Sequence, residues 1–173
     1  MSVVSFQPRT PGARPHHTVI PSPLGELLLS GDAEGTLSRI DLLADRRPDP
    51  ASTAAPAAFR EAADQLAAYF AGHRTGFALR IATAGTPFQL SVWQRLVTIP
   101  YGTTLSYGEL ASKLGRPTAA RAVGAANGAN PVPIIVPCHR VLAASGDLTG
   151  FGLGGLARKR LLLSLESGQR TAF

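Results

Sequence analysis

A chain of 173 residues suits one ordinary domain or two small ones, and 45% hydrophobic against 16% charged residues supplies a core and excludes a disordered polar chain. The formal charge of +6 is unevenly spread: residues 1–85 carry 8 basic and 8 acidic side chains, residues 86–173 carry 9 and 3, so the second half is the one suited to a polyanion. One cysteine, Cys138, excludes an internal disulfide and a multi-thiolate zinc site, and no apolar run reaches the roughly 18–20 residues of a membrane span.

Residues 1–15 read as a flexible leader, whose Pro8, Pro11 and Pro15 interrupt any signal-peptide stretch; the expectation is a cytoplasmic protein. From Thr18 to Leu43, apolar stretches alternate with turn signals such as Pro21-Ser22-Pro23 and Glu34-Gly35. The pattern predicts short antiparallel strands at TVI, ELLLSG and LSRIDLL. A polar loop at Asp45–Pro56 precedes a helix in which Phe59, Ala62, Ala63, Leu66, Tyr69 and Phe70 recur at helical spacing, closed by Gly72. FALRIA, residues 77–82, adds one strand. Residues 16–84 therefore read as a small α/β domain, an antiparallel sheet plus helix, with no catalytic constellation of its own.

At Gly85 the character changes, and 85–173 reads as a mainly α domain. Thr86 is an N-cap with Pro87 at the first helical position and Gln89 completing a capping box; Phe88, Val92, Trp93, Leu96 and Val97 form the buried stripe, and Pro100 stops the helix. Ser106 caps the next helix with Glu109 as its partner, Gly115 ends it, and Arg116-Pro117 restarts a helix to about Asn127-Gly128. Two short helices across a glycine turn, about 106–128, have the outline of a helix-turn-helix. The second of them, PTAARAVGAANGAN, has one face nearly bare except for Arg121. Its alanines either pack against a neighbouring helix or let the helix enter a narrow groove. A last helix, Leu156 to Glu166, sets Arg158, Lys159 and Arg160 beside four leucines.

The segment 130–141, Asn130-Pro-Val-Pro-Ile-Ile-Val-Pro-Cys138-His139-Arg140-Val141, carries the chemistry. Three prolines hold a short buried strand, Ile134–Val136, ahead of the cysteine. A lone cysteine is commonly an inert core residue. Against that, the cations of His139 and Arg140 beside the thiol favour its nucleophilic thiolate form. His139 would reach its neighbour through water and needs a carboxylate to orient it; with Glu109 engaged in a cap and Asp147 in a Gly-rich loop, Glu166 is left.

IPYGTTLSYGELA, RPTAARAVGAANGANP, IVPCHRV and TGFGLGGLARKRLLLSLE together resemble the O6-alkylguanine-DNA alkyltransferases, of the bacterial Ogt-like kind, continuously over about residues 86–166. The resemblance implies irreversible transfer of an alkyl group from O6-alkylguanine, and from O4-alkylthymine, in double-stranded DNA to Cys138. It implies a Glu166–His139–water–Cys138 relay, with Asn130 bracing the turn before the active-site segment. Tyr107 would help rotate the nucleotide out and place its hydroxyl near the base ring, and Arg121 would fill the vacated stack. The DNA face would comprise Arg121, Tyr107, Thr118, Ala122, Gly124 and Ala126, seated in the minor groove. The substrate pocket would comprise Val141, Phe151, Gly152, Leu153 and Trp93. No cofactor, membrane or obligate protein partner is implied, and the chain would act as a monomer. Some relatives carry zinc in the first half; with only His16, His17 and His73 there, none is expected. Where relatives commonly have Tyr and a small residue before Gly-Gly-Leu, this chain has Phe151-Gly152-Leu153-Gly154-Gly155-Leu156, one residue longer and without the hydroxyl. The rival readings are an alkyltransferase-like protein that binds lesions without repairing them, a cysteine hydrolase using Cys138 and His139, and a plain helix-turn-helix regulator.

Overall fold

The computed structural model describes residues 3–168, in two compact units that divide between Ala84 and Gly85. In the first, strands β1 (Ser5–Phe6), β2 (His16–Ile20), β3 (Leu27–Gly31), β4 (Leu37–Leu42), β5 (Thr53–Ala54) and β6 (Arg80–Ile81) form one sheet in the order β1-β6-β4-β3-β2-β5. Helix α1 (Arg60–Phe70) lies between β5 and β6 in sequence. The centre β2-β3-β4 is antiparallel, as its turn signals predict. The sheet as a whole is mixed, because β6 returns parallel to β4 through α1, and β1 and β5 add parallel edges. A parallel return needs a crossover of a dozen or more residues, and α1 is that crossover.

Two expectations change here. Ser5–Phe6 is not part of a flexible leader: Val3 and Ser5 donate backbone hydrogen bonds to Phe77 and Leu79 at 2.7 and 3.0 Å, which makes this stretch an edge strand. The polar loop 45–56 contains β5, paired with His16 and His17. Gln65 of α1 is buried and uses its amide to hold both backbone groups of Ala78, at 2.9 and 3.0 Å, so that the chain enters β6 in register. Leu27, Leu29, Leu37, Leu66 and Ile81 are fully buried in this unit's core.

The second unit holds α2 (Pro87–Leu96), α3 (Tyr107–Lys113), α4 (Ala120–Gly128) and α5 (Leu156–Glu166), with a two-stranded parallel ladder of β7 (Leu105–Ser106) and β8 (Val141–Leu142). Both capping boxes form: Thr86 with Gln89, and Ser106 with Glu109. Each satisfies two backbone donors that the first helical turn leaves open. Arg116 and Pro117 do not restart a helix. Residues 116–119 are a turn in which the Ala119 amide bonds back to Arg116, and α4 begins at Ala120 without a side-chain cap. Thr118 is therefore exposed in the turn rather than on the helix. Trp93 is 2% exposed and donates its indole N–H to the Ala126 carbonyl at 2.9 Å, which fastens α2 to α4.

Among the described residues no helix is long and apolar enough to cross a membrane.

Candidate active site

The stretch before Cys138 is a tight turn, not the strand expected from Ile-Ile-Val. Ile134 has φ 77°, a left-handed conformation that a β-branched residue adopts only under constraint. Asn130 supplies that constraint. Its Oδ1 accepts from the Val132 amide at 3.1 Å and its Nδ2 donates to the Val136 carbonyl at 2.8 Å, while Val136 bonds back to Val132. A second tight turn centred on Pro137 then sends the Cys138 amide to the Val136 carbonyl at 2.8 Å, and Cys138–Arg140 forms one turn of 3-10 helix. The run of apolar residues is a strained pedestal, and strain of this kind clusters where geometry matters for chemistry.

His139 and Glu166, 27 positions apart, meet at 2.8 Å between Nε2 and Oε1, with side-chain exposures of 0% and 1%. Arg140 does not attend the thiol. Its Nε and Nη2 donate to the two Glu166 oxygens at 2.8 Å each, its Nη1 donates to the Ile99 carbonyl at 2.6 Å, and it lies over the Tyr101 ring. The expectation that two adjacent cations favour the thiolate is thus corrected for Arg140, because a buried guanidinium must be paired and Glu166 is the available carboxylate. The amide of Gly102 adds a fourth donor to Glu166 at 3.3 Å. A Cβ on Gly102, at φ 73°, would stand 3.0 Å from the Glu166 carbonyl oxygen, so this approach requires glycine.

The electrostatics follow. Burial pushes the Glu166 carboxyl up, but hydrogen bonds and charge from His139 and Arg140 outweigh it and hold the group well below the usual carboxylate range. Burial drives the His139 imidazole down against the pull of Glu166, so the ring is neutral. An ionised carboxylate can only accept; the Nε2 proton therefore points at Glu166 and Nδ1 presents its lone pair. That Nδ1 is buried and makes no hydrogen bond with the described residues. Burial pushes the Cys138 thiol up to about 11, with the Asn130 side chain and the Lys159 charge opposing it. The resting cysteine is a protonated thiol that requires a base, and the base stands next to it in sequence.

Lys159 is a cation to which the sequence reading gave no role. It is 0% exposed, and its Nζ donates to the Val141 carbonyl at 2.7 Å and the Thr149 carbonyl at 3.1 Å, tying β8 and the following loop to α5. Lys159, Leu162 and Glu166 form the buried face of α5, and the seven-residue spacing of Lys159 and Glu166 was the available signal.

A cavity of about 780 Å³ opens beside this machinery, with Tyr107, Arg121, Gly124, Asn127, Phe151 and Gly152 among its lining residues. Asn127 connects it to the nucleophile by donating Nδ2 to the Cys138 carbonyl at 3.3 Å. Phe151 stands edge-on to the His139 ring, with centroids 6.5 Å apart. The Tyr107 hydroxyl bonds the Thr149 hydroxyl at 2.8 Å, joining α3 to the 143–155 loop. Of the expected pocket residues, Phe151 and Gly152 line this cavity, whereas Trp93, Val141 and Leu153 are buried outside its lining, Trp93 with its indole N–H on the Ala126 carbonyl. Of the expected DNA face, Arg121 and Ala122 are exposed and Gly124 packs on the Tyr107 ring, whereas Ala126 is 3% exposed and faces inward. Asn127, Lys159 and Arg140 are the participants that sequence reasoning missed or misassigned. Among the described residues no three His, Cys, Asp or Glu side chains converge as a metal site; His16 instead approaches the Arg14 carbonyl and His17 the Ser52 hydroxyl.

Residues 87–168 match the model of the 6-O-methylguanine DNA methyltransferase DNA binding domain, and residues 16–83 that of the same family's ribonuclease-like domain. The methylated-DNA–protein-cysteine methyltransferase of Mycobacterium tuberculosis is 51% identical over 160 residues, 91% of this chain and 95% of the relative. That of Methanosarcina acetivorans is 47% identical over 155 residues, 87% and 97%. Among solved structures, the Mycobacterium tuberculosis OGT in complex with DNA superposes with a TM-score of 0.84 at 52% identity, covering 91% of this chain and 96% of that one. A protein of the archaeon Pyrococcus kodakaraensis, with a TM-score of 0.57 at 23% identity, shares the fold. A buried Cys-His-Glu arrangement on a strained turn, beside an open cavity and within a chain about half identical to the mycobacterial and methanosarcinal relatives and matched along both units by the same family's models, places the protein: it belongs to the 6-O-methylguanine DNA methyltransferase family.

Proposed function

We propose that this chain repairs DNA by direct reversal, moving the alkyl group of O6-alkylguanine, and of O4-alkylthymine, onto Cys138 in a single turnover. The observation that carries the reading is the buried 2.8 Å His139–Glu166 contact, which leaves the Nδ1 lone pair unused on the residue that follows Cys138. The Cys138 proton passes through water to Nδ1. The resulting imidazolium faces the ionised Glu166, and Arg140 keeps that carboxylate from taking the proton itself. Sulfur attacks the alkyl carbon, the S–C bond forms as the C–O6 bond breaks, and the electron pair leaves with guanine, which is reprotonated. A thioether has no hydrolytic exit, so the protein is consumed.

The target carbon is out of reach while the base is stacked, so the nucleotide must be extruded into the cavity. The 107–128 helix pair supports binding by the minor groove, because the outer face of α4 offers Ala122, Ala125 and Gly128 with Arg121 as the long side chain. In this reading Thr118 precedes the contacting helix, Tyr107 steadies the flipped base and Arg121 fills its place. The relay is complete within one chain, which supports action as a monomer, and a nucleophilic thiol that must stay reduced supports the cytoplasm.

The test separates extrusion from chemistry. Arg121→Ala slows repair of O6-methylguanine in duplex by about tenfold or more, since unstacking costs a few kcal/mol, yet reacts with free O6-benzylguanine at close to the wild-type rate. Both yields plateau at one group per chain. Equal losses on the two substrates, or turnover beyond one, contradict the proposal.

A further inference from the structure

The turn between α3 and α4 opens on Arg116, a cation with no task in the transfer or flipping steps. Its backbone is fixed: Gly115, at φ 71°, closes α3 in a Schellman motif, with the Gly115 amide on the Ser112 carbonyl at 2.9 Å and the Arg116 amide on the Ala111 carbonyl at 3.0 Å. The Arg116 side chain is exposed, yet it is not loose, because its guanidinium carbon lies over the Phe88 ring, 5.4 Å from the centroid. Phe88 is half-buried in the first turn of α2, which the Thr86–Gln89 capping box holds. Helix α2 runs beside α4 in the same direction, since Trp93 meets Ala126 and Phe88 meets the turn that leads into α4. The platform under Arg116 therefore belongs to the same packed pair as the helix proposed to enter the groove.

A guanidinium stacked in this way keeps its N–H edge for a partner, and no carboxylate among the described residues pairs with Arg116. Those of the second unit are committed elsewhere: Glu109 to the Ser106 amide at the opposite end of α3, Asp147 to the Ser145 hydroxyl, and Glu166 to His139 and Arg140. A planar, permanently charged donor edge fits the oxygens of a phosphate, and a duplex presents phosphates along both walls of the minor groove. In a helix pair of this outline the elements ahead of the inserted helix cross the strand backbone. We infer that Arg116, held on the Phe88 ring, is a positioning residue that clamps one backbone phosphate of the duplex and so sets where α4 enters the groove. The inference rests on the duplex-binding reading above and adds to it a contact outside the groove. Because the side chain is already held on the ring, little of its freedom is lost on binding. A phosphate contact carries no base information, so Arg116 acts alike on damaged and undamaged DNA.

The experiment titrates the full chain into a labelled duplex, undamaged or carrying one O6-methylguanine, by fluorescence anisotropy over a series of salt concentrations. Each phosphate neutralised contributes about 0.9 to the slope of log affinity against log salt. Arg116→Ala is expected to reduce that slope by about 0.9 and to weaken both duplexes by the same factor, about three- to tenfold at low salt. Arg116→Lys restores the slope, since an ammonium still meets a phosphate as a point charge, but not the full affinity, since it lacks the planar fork. Phe88→Leu keeps the slope and loses part of the affinity; full affinity there overturns the part given to the ring. A melting curve for each variant shows that it folds. An Arg116→Ala slope equal to that of wild type overturns the inference whatever the affinity, because it makes the residue a structural support. So does a loss confined to the damaged duplex, which would place Arg116 in flipping. If wild type binds neither duplex, it is the duplex-binding reading that fails, and the inference with it.

Discussion

Cys138→Ser transfers no alkyl group from an O6-methylguanine duplex, while its affinity for that duplex stays within about twofold of wild type. Removing a nucleophile of this kind costs about 10⁴-fold or more in rate. Serine is nearly isosteric with cysteine, so the turn built by Asn130 and Pro137 is undisturbed. The thiol, already pushed up to about 11, is still within reach of a neutral imidazole assisted by Glu166; a hydroxyl, which ionises several units higher, is not. The binding surface proposed for α3, the turn and α4 contains no part of this change. A quench time course with labelled oligonucleotide and a mobility shift at fixed salt check the two halves separately. Persistent transfer in this variant would mean that another residue is the nucleophile, and lost binding would mean that the turn, not the sulfur, was damaged.

Glu166→Gln destabilises the chain by about 3–5 kcal/mol, because it strands the buried Arg140 guanidinium without its counter-charge. At this chain length that lowers the melting temperature by about 10 °C. The rate of transfer falls by about 10²–10⁴-fold, since an amide neither fixes the His139 tautomer nor stabilises its cation. The pH dependence has a definite sign. The depressed Glu166 group adds stability that is present above the ordinary carboxylate value of about 4.3 and is lost as acid titrates it in the folded state, so wild type and variant converge on acidification. Burial of neutral His139 makes both proteins weaken below about pH 6.5, where the unfolded chain takes up the proton first. The raised thiol weakens both above about pH 8.5, as the unfolded chain gives its proton up first. Melting curves from pH 3 to 10 therefore show a plateau at about pH 6.5–8.5. A variant that melts and reacts like wild type contradicts the role given to Glu166.

Local rules made much of this molecule legible in the sequence. The two capping boxes need only residues three apart, and both form where Thr86, Gln89, Ser106 and Glu109 place them. The Cys138 segment was conspicuous because three prolines before a cysteine and a histidine are hard to explain as packing. What escaped was non-local. Two-residue strands such as Ser5–Phe6 and Thr53–Ala54 carry no periodicity, and their partners lie far away in sequence. Ile-Ile-Val at 134–136 has strand composition, yet the Asn130 side chain turns it, which no propensity records. Arg140 reads as a cation attending the thiol and Lys159 carries no assigned role, and only tertiary contact shows that one neutralises Glu166 and the other anchors two carbonyls. Trp93, equally, reads as an aromatic for a pocket until Ala126 is seen to hold its indole.

The most direct test of the account is an intact-mass and peptide-mass measurement after incubation with an equimolar duplex carrying O6-methylguanine. The predicted result is a gain of one methylene per chain, saturating at one and mapped to the peptide that holds Cys138. No gain in mass, with preference for the damaged duplex retained, would contradict it and leave a protein that marks lesions without repairing them.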